Sequence, residues 1–300
     1  MAIAVVGSVA LDTITTAGRT STHLLGGSAT YFSLAASHYA TVRLVAAVGQ
    51  DFPAGALRTL RRSGTDLTGL AVLPGQTFRW EGRYSDDLAS RSTTGLQLGV
   101  FETFQPHIPP SFRRSSTLFL ANIDPRLQQF VLTQMVRPRL IGVDTIDHWI
   151  RNQRPALLKL LRRTDVMFLN EEEARLLSQL STLRGMGAWL RRLGPSVILI
   201  KQGWYGAVGW VGTSMVWVPA YPVERTIDPT GAGDSFAGGV LSWLDQAPRI
   251  TPAILRRAML YGSVMGSFCV EGMGVRGLER LRPHAIGARM KALKQLAGVV

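Results

Sequence analysis

Asp228-Pro229-Thr230-Gly231-Ala232-Gly233-Asp234, followed by Ser235-Phe236-Ala237-Gly238-Gly239, is the stretch on which the reading of this chain turns. Upstream, residues 216–220 (VWVPA) have the composition of a strand. Downstream, Phe236, Ala237, Val240, Leu241 and Leu244 recur at helical spacing. The glycines therefore sit where a loop becomes a helix. The first amides of a helix lack internal acceptors and stand at the positive end of its dipole, so small residues there make an anion site suited to phosphate. Asp234 is the odd residue, because a carboxylate beside bound phosphate is repelled unless it has a separate task. Taking the proton from a hydroxyl that attacks phosphorus is such a task. A carboxylate that merely answers the helix dipole fits the same position. Spacing alone leaves both readings standing.

Working outward, residues 117–201 alternate between strand-like and helix-like segments. Strands are expected at 117–121, 139–144, 165–170 and 197–201, with helices at 125–136, 150–161, 171–177 and 184–193. That pattern predicts a parallel sheet covered on both faces, with ligand-binding residues at strand carboxyl ends. Asn122, Asp144, Asn170 and Lys201 all fall there. Toward the start, residues 3–11 read as one buried strand with Asp12 at or just beyond its end. Gly26-Gly27-Ser28 opens a helix, and 42–48 form a strand leading through Gly49-Gln50-Asp51 to a helix that stops at Gly64. Beyond the opening stretch, helices are expected at 232–246, 252–268 and 284–296.

Between 67 and 101 the pattern changes. Residues 67–73, the turn Pro74-Gly75 and residues 76–84 read as a hairpin, with another extended piece at 97–101. Strand alternation places Phe78, Trp80 and Tyr84 on one face and Arg79, Glu81 and Arg83 on the other. The aromatic face suits packing, or stacking on a sugar or base. The expectation is a single domain, 1–300, with a small β lid formed by 67–101 and part of 12–25.

A chain of 300 residues with 46% hydrophobic content can bury a substantial core. The single cysteine, Cys269, excludes an internal disulfide and suits a reducing, cytoplasmic setting. No apolar run reaches the ~18 residues of a membrane span. The net charge of +13 is spread over separate arginine pairs without interleaved aromatics, which reads as a solvated surface and not as a specific nucleic-acid face. The five histidines show no metal spacing. There is no G-x-x-x-x-G-K-[ST] loop, and Gly272-Met-Gly-Val-Arg-Gly277 spells G-x-G-x-x-G after a helix, where a dinucleotide fingerprint would follow a strand.

Asp228-Pro-Thr-Gly-Ala-Gly-Asp234 resembles the D-T-x-G-A-G-D signature of the ribokinase-like (phosphofructokinase-B type) carbohydrate kinases, with Pro229 where Thr is commoner. The strand before Asp12, Gly26-Gly27, Gly49-Gln-Asp51, Asn170-x-x-Glu173 and Lys201-Gln-Gly203 extend the resemblance over nearly the whole chain. It implies a doubly wound α/β fold, mostly parallel with helices on both faces, plus the β lid. It also implies ATP-dependent transfer of the γ-phosphoryl group to a hydroxyl of a sugar or sugar-like molecule. By the same resemblance Asp234 would be the base, and the amides of Gly231, Ala232 and Gly233 the anion hole. Asp12, Gly26 and Gly27 would hold the acceptor, joined by Trp80 from the aromatic reading. Asn170, Lys201, Gly203 and Thr230 would lie on the nucleotide side. Glu173 would meet Mg²⁺ through water, and Asp228 would border a monovalent cation such as K⁺. Lids of this family also serve as subunit interfaces, so pairing of two copies through the lid is implied. Two rival readings are a nucleoside kinase of the same fold and a non-catalytic sugar- or nucleotide-binding regulator, against which the Asp base and intact glycine turn count.

Overall fold

Short apolar runs build the centre of the protein in the computed structural model, which describes residues 1–88 and 90–298. In chain order the strands are β1 (Ala2–Val6), β2 (Ala10–Thr16), β3 (Arg19–Gly26), β4 (Thr41–Gly49), β5 (Asp66–Leu73), β6 (Arg79–Tyr84), β7 (Arg91–Gln97), β8 (Thr117–Leu120), β9 (Leu140–Val143), β10 (Val166–Asn170), β11 (Val197–Lys201), β12 (Ala207–Val211) and β13 (Ser214–Val218). The helices are α1 (Ser28–Ala36), α2 (Ala54–Arg62), α3 (Pro125–Gln134), α4 (Asp147–Asn152), α5 (Arg154–Leu161), α6 (Glu171–Ser178), α7 (Leu183–Arg191), α8 (Ala232–Leu244), α9 (Pro252–Val270), α10 (Arg276–Glu279) and α11 (Pro283–Leu296).

Nine strands form the main sheet in the order β13-β12-β11-β10-β9-β8-β1-β4-β5. From β11 to β5 all pairings are parallel, and β12 and β13 add an antiparallel edge. Alternate residues of each strand feed opposite cores. Ile3 and Val5 join the layer of α1, α8, α9 and α11, whereas Ala4 and Val6 join that of α3, α5, α6 and α7. Burial on both faces is why β1, β8 and β11 read as continuous apolar runs. The chain leaves β1 for β4 on one side and returns to β8 on the other, so a topological switch point lies at the carboxyl end of β1.

A second, four-stranded sheet, β3-β2-β6-β7, stands beside this end. β2 pairs antiparallel with β3 and parallel with β6, which pairs antiparallel with β7. The expected doubly wound architecture and small sheet are both present, with four differences from the sequence expectation, the first being that the extended piece expected at 97–101 ends in a 3₁₀ turn, Gly99–Phe101, and the strand lies before it at Arg91–Gln97.

Residues 3–11 are not one strand: β1 belongs to the main sheet and β2 to the small one. Both are buried, so no change in hydrophobicity marks the crossing at residues 7–9. Residues 67–73 do not pair with 76–84. They lie in β5, the parallel edge strand beside β4, and the Pro74-Gly75 turn carries the chain between sheets. The expected lid range 67–101 therefore begins too early; the small sheet is built from 10–26 and 79–97. The helix expected over 150–161 is two helices broken at Gln153, because Pro155 requires a fresh helix start.

Candidate active site

The turn before α8 is locked from several directions. Gly231 is its N-cap in the left-handed region (φ 76°), and a Cβ there would collide with the Tyr31 ring. Asp228 is fully buried and staples the turn: its Oδ1 accepts from the Thr230 amide at 2.9 Å and its Oδ2 from the Gly274 amide at 2.9 Å. The Cys269 thiol donates to the Thr230 carbonyl at 3.3 Å. The first amides of α8 stand at the positive end of its dipole, where an anion can bind, although the Ala232 amide donates to the Pro229 carbonyl at 3.3 Å.

Asp234, in that first turn, lies among charged side chains from four other elements. Burial pushes its carboxyl well above the ordinary 3.8, and Asp144 raises it further; Lys201 and Arg91 pull it back, and Glu173 adds to the rise. Lys201, at the end of β11, pairs with Asp144 at 3.2 Å. Burial works against the Lys201 charge, but Asp144, Glu173 and Asp234 outweigh it and hold the ammonium above its ordinary value. A Cβ on Gly233 would stand 2.9 Å from the Lys201 Nζ. The small residue therefore brings the ammonium against the turn itself.

On the opposite wall, Asp12 lies within β2, paired with Leu24 of β3 and Trp80 of β6. It is 3% exposed, and its Oδ1 has no partner among the described residues. Burial, followed by the charge of Asp228, raises its carboxyl to about 8, partly offset by the Gly27 amide; Asp234 adds to the rise. A Cβ on Gly26 would occupy the space of the Asp12 carboxylate. Gly27, at φ 94°, caps α1. The Tyr31 hydroxyl is likewise buried without a partner among the described residues. An unsatisfied buried carboxylate oxygen beside an unsatisfied phenol fits a polar, hydroxyl-bearing ligand.

The small sheet turns its Asp12 face inward, and that is the face of Trp80 and Tyr84. The Tyr84 hydroxyl stands 2.9 Å from the Thr230 Oγ1 on the anion turn. Trp80 lies on Gly82, donates from Nε1 to the Thr93 hydroxyl at 3.1 Å, and has the Arg91 guanidinium over its ring at 5.3 Å. Phe78 instead stacks toward Phe101, and Arg79 pairs with Asp51 at 2.7 Å. Asp51 also holds Thr77, so Gly49-Gln50-Asp51 anchors the start of β6.

Asn170 and Glu173 form a reciprocal capping box at the start of α6: the Asn170 side chain accepts from the Glu173 amide at 2.7 Å, and Glu173 Oε2 accepts from the Asn170 amide at 2.7 Å. The Glu173 carboxyl is nevertheless raised by burial and by Asp144 against the pull of Lys201, so it shares the Asp234 cluster. Gly203 begins a single helical turn beyond β11 at φ 57°. Tyr84 already stands on the aromatic face read from the sequence, whereas Arg91, over the Trp80 ring, and Tyr31, under Gly231, are not singled out by it.

Two carboxylates, a helix start able to bind an anion and an ammonium against that helix start form an arrangement suited to moving a phosphoryl group to a hydroxyl. Residues 141–280, just under half of the chain, match the pfkB family carbohydrate kinases. It is 29% identical over 247 residues to a cytidine kinase of Thermococcus kodakarensis, covering 80% of this chain and 87% of that one. A Methanocaldococcus jannaschii nucleoside kinase, described as an archaeal member of the ribokinase family, superposes with a TM-score of 0.79 at 21% identity, covering 97% of this chain and 98% of that one. A Burkholderia thailandensis nucleoside kinase solved with inosine superposes with a TM-score of 0.80 at 18% identity, again covering 97% and 98%. No helix among the described residues is long and apolar enough to cross a membrane.

Proposed function

We propose that this kinase transfers the γ-phosphoryl group of ATP to a ribose hydroxyl of a nucleoside. The observation that carries the reading is a buried Asp12 with an orphan oxygen, close enough to the Asp228–Asp234 turn that the charges of Asp228 and Asp234 both raise its carboxyl. Asp12, with its orphan oxygen, accepts hydrogen bonds from acceptor hydroxyls and holds one toward Asp234. Asp234 takes that hydroxyl's proton as its oxygen bonds to phosphorus, and the P–O bond to the leaving ADP breaks. The amides of Gly231 and Gly233 and the Lys201 ammonium receive the negative charge on the phosphoryl oxygens, whereas the Ala232 amide donates to the Pro229 carbonyl at 3.3 Å. Thr230, Asn170 and Gly203 border the nucleotide.

No group of three or more His, Cys, Asp or Glu that could hold a bare metal occurs among the described residues. Asp144 and Glu173, clustered with Asp234 against one lysine, fit Mg²⁺ held through water and the nucleotide phosphates. When bound, Mg²⁺ supplies charge neutralisation at the phosphates. Each Asp228 oxygen accepts one backbone amide, which makes the residue a structural staple and leaves lone pairs with which it would border a monovalent cation such as K⁺. The small sheet is read as a lid, its inner face carrying Asp12, Trp80 and Tyr84.

A nucleoside is preferred to a free sugar as acceptor because the cytidine kinase relative spans most of the chain. Cytidine, inosine, adenosine, ribose and phosphosugars, assayed side by side for ADP formation, test this. The expected result is a kcat/KM for at least one nucleoside that exceeds that for ribose by ~10²-fold or more. Preference for a free sugar would overturn the acceptor class, and no transfer to any of them would overturn the kinase reading.

A further inference from the structure

We propose that Arg91, carried by the outer strand of the small sheet, reaches into the site and binds the oxygens of the phosphoryl group in flight. Three geometric observations place it there. Arg91 is the direct strand partner of Tyr84, so both side chains leave the same face of the sheet, and the Tyr84 hydroxyl already touches Thr230 on the anion turn. Its guanidinium lies over the Trp80 ring, on the row of the sheet that also carries Asp12. Trp80 is itself fixed by Gly82 beneath it and by its bond to Thr93, so the arginine has a rigid platform. The other arginines of this hairpin are spent elsewhere: Arg79 pairs with Asp51, and Arg83 leaves the opposite face.

Its position favours one of two tasks, because its strand partner Tyr84 touches Thr230 on the anion turn. Arg91 acts on Asp234, Glu173 and Tyr84, the groups around the anion turn and the nucleotide side. A guanidinium placed this way serves the transferring phosphoryl group and not a phosphate on the acceptor. Its planar fork suits two equatorial oxygens at once. Because it rides on the lid, its charge arrives only when the sheet is seated, which couples closure to transition-state stabilisation.

The inference rests on the phosphoryl-transfer reading, and the experiment separates the two. R91Q should lower kcat by ~10²-fold or more while the KM values for acceptor and ATP stay within about threefold. Calorimetric binding of ADP with aluminium fluoride, a mimic of the group in flight, should weaken by a comparable factor while binding of ADP alone changes little. Added guanidinium ion at millimolar concentration should restore part of the R91Q rate, and R83Q should match wild type. R91K, which keeps the charge but not the fork, is read in the same assays should R91Q fail to fold. A kcat within threefold of wild type, or a loss expressed only in acceptor KM, overturns the proposal while D234N still abolishes turnover. A wild-type enzyme that phosphorylates no acceptor overturns the underlying reading instead.

Discussion

Replacing Asp234 with Asn should make the protein slower and more stable at once. Asn keeps the shape and the hydrogen bonding but cannot take a proton, so kcat should fall by ~10²–10⁴-fold, about 2.7–5.4 kcal/mol of transition-state stabilisation. The stability arm follows from the surroundings of the carboxyl. An unfolded Asp ionises near 3.8, whereas burial and Asp144 move the folded group to higher pH against the pull of Lys201 and Arg91. The carboxyl therefore leaves stability intact below the unfolded value and erodes it as pH rises through the folded one. Asp234 retains some exposure to the cleft, so solvent screens part of this cost. A gain of about 1–2 kcal/mol for D234N at pH 7 remains after that discount, a rise in Tm of about 2–6 °C. At pH 4 the gain should vanish. Thermal melts at pH 4, 7 and 8 beside an ADP-release assay test both arms. Turnover within a few-fold of wild type would remove Asp234 from the base role. Unchanged melting at pH 7 would show that its carboxyl is not held in a disfavouring environment.

Gly231→Ala combines a left-handed backbone with a collision against Tyr31, and should cost about 2–4 kcal/mol in urea unfolding together with most turnover. A loss under 0.5 kcal/mol would mean that the turn relaxes freely. Asp12→Asn should raise acceptor KM by ~10–10²-fold with ATP KM unchanged, since it removes charge-assisted hydrogen bonds from the acceptor wall. An equal rise for both substrates would contradict that placement.

The main sheet was legible because its strands are short apolar runs separated by capped helices. Asp124-Pro125, Thr182 and Thr251-Pro252 each start a helix with a side chain that accepts from the first turn. These are local signals, and they survive folding. Membership of a strand in one sheet or the other is not local. The crossing from β1 to β2 lies inside a run, residues 3–12, that is buried throughout, and β5 has the mixed burial of an edge strand, which resembles that of a lid strand in sequence. Nothing in residues 66–73 states that the partner is β4 at its parallel side and not the neighbouring hairpin.

The same distinction divides the site. Asp228 to Asp234 could be read because backbone conformation, helix start and chemistry coincide within seven consecutive residues. Asn170 and Glu173 could be read for the same reason, since a capping box is a local device. Arg91 could not. Its segment, Arg-Ser-Thr-Thr-Gly, has no hydrophobic alternation, and a bulge between Glu81 and Gly82 shifts the register that assigns its partner. Counting residues back from the turn without that bulge would set the β7 side chains near Trp80 on the wrong face. A one-residue irregularity thus decides whether a register counted from Trp80 sets Arg91 or Ser92 beside Tyr84. Charge placement at such an edge is set by the irregularity as much as by the residue, and substitutions that remove the bulge should alter the site without touching any of its functional groups.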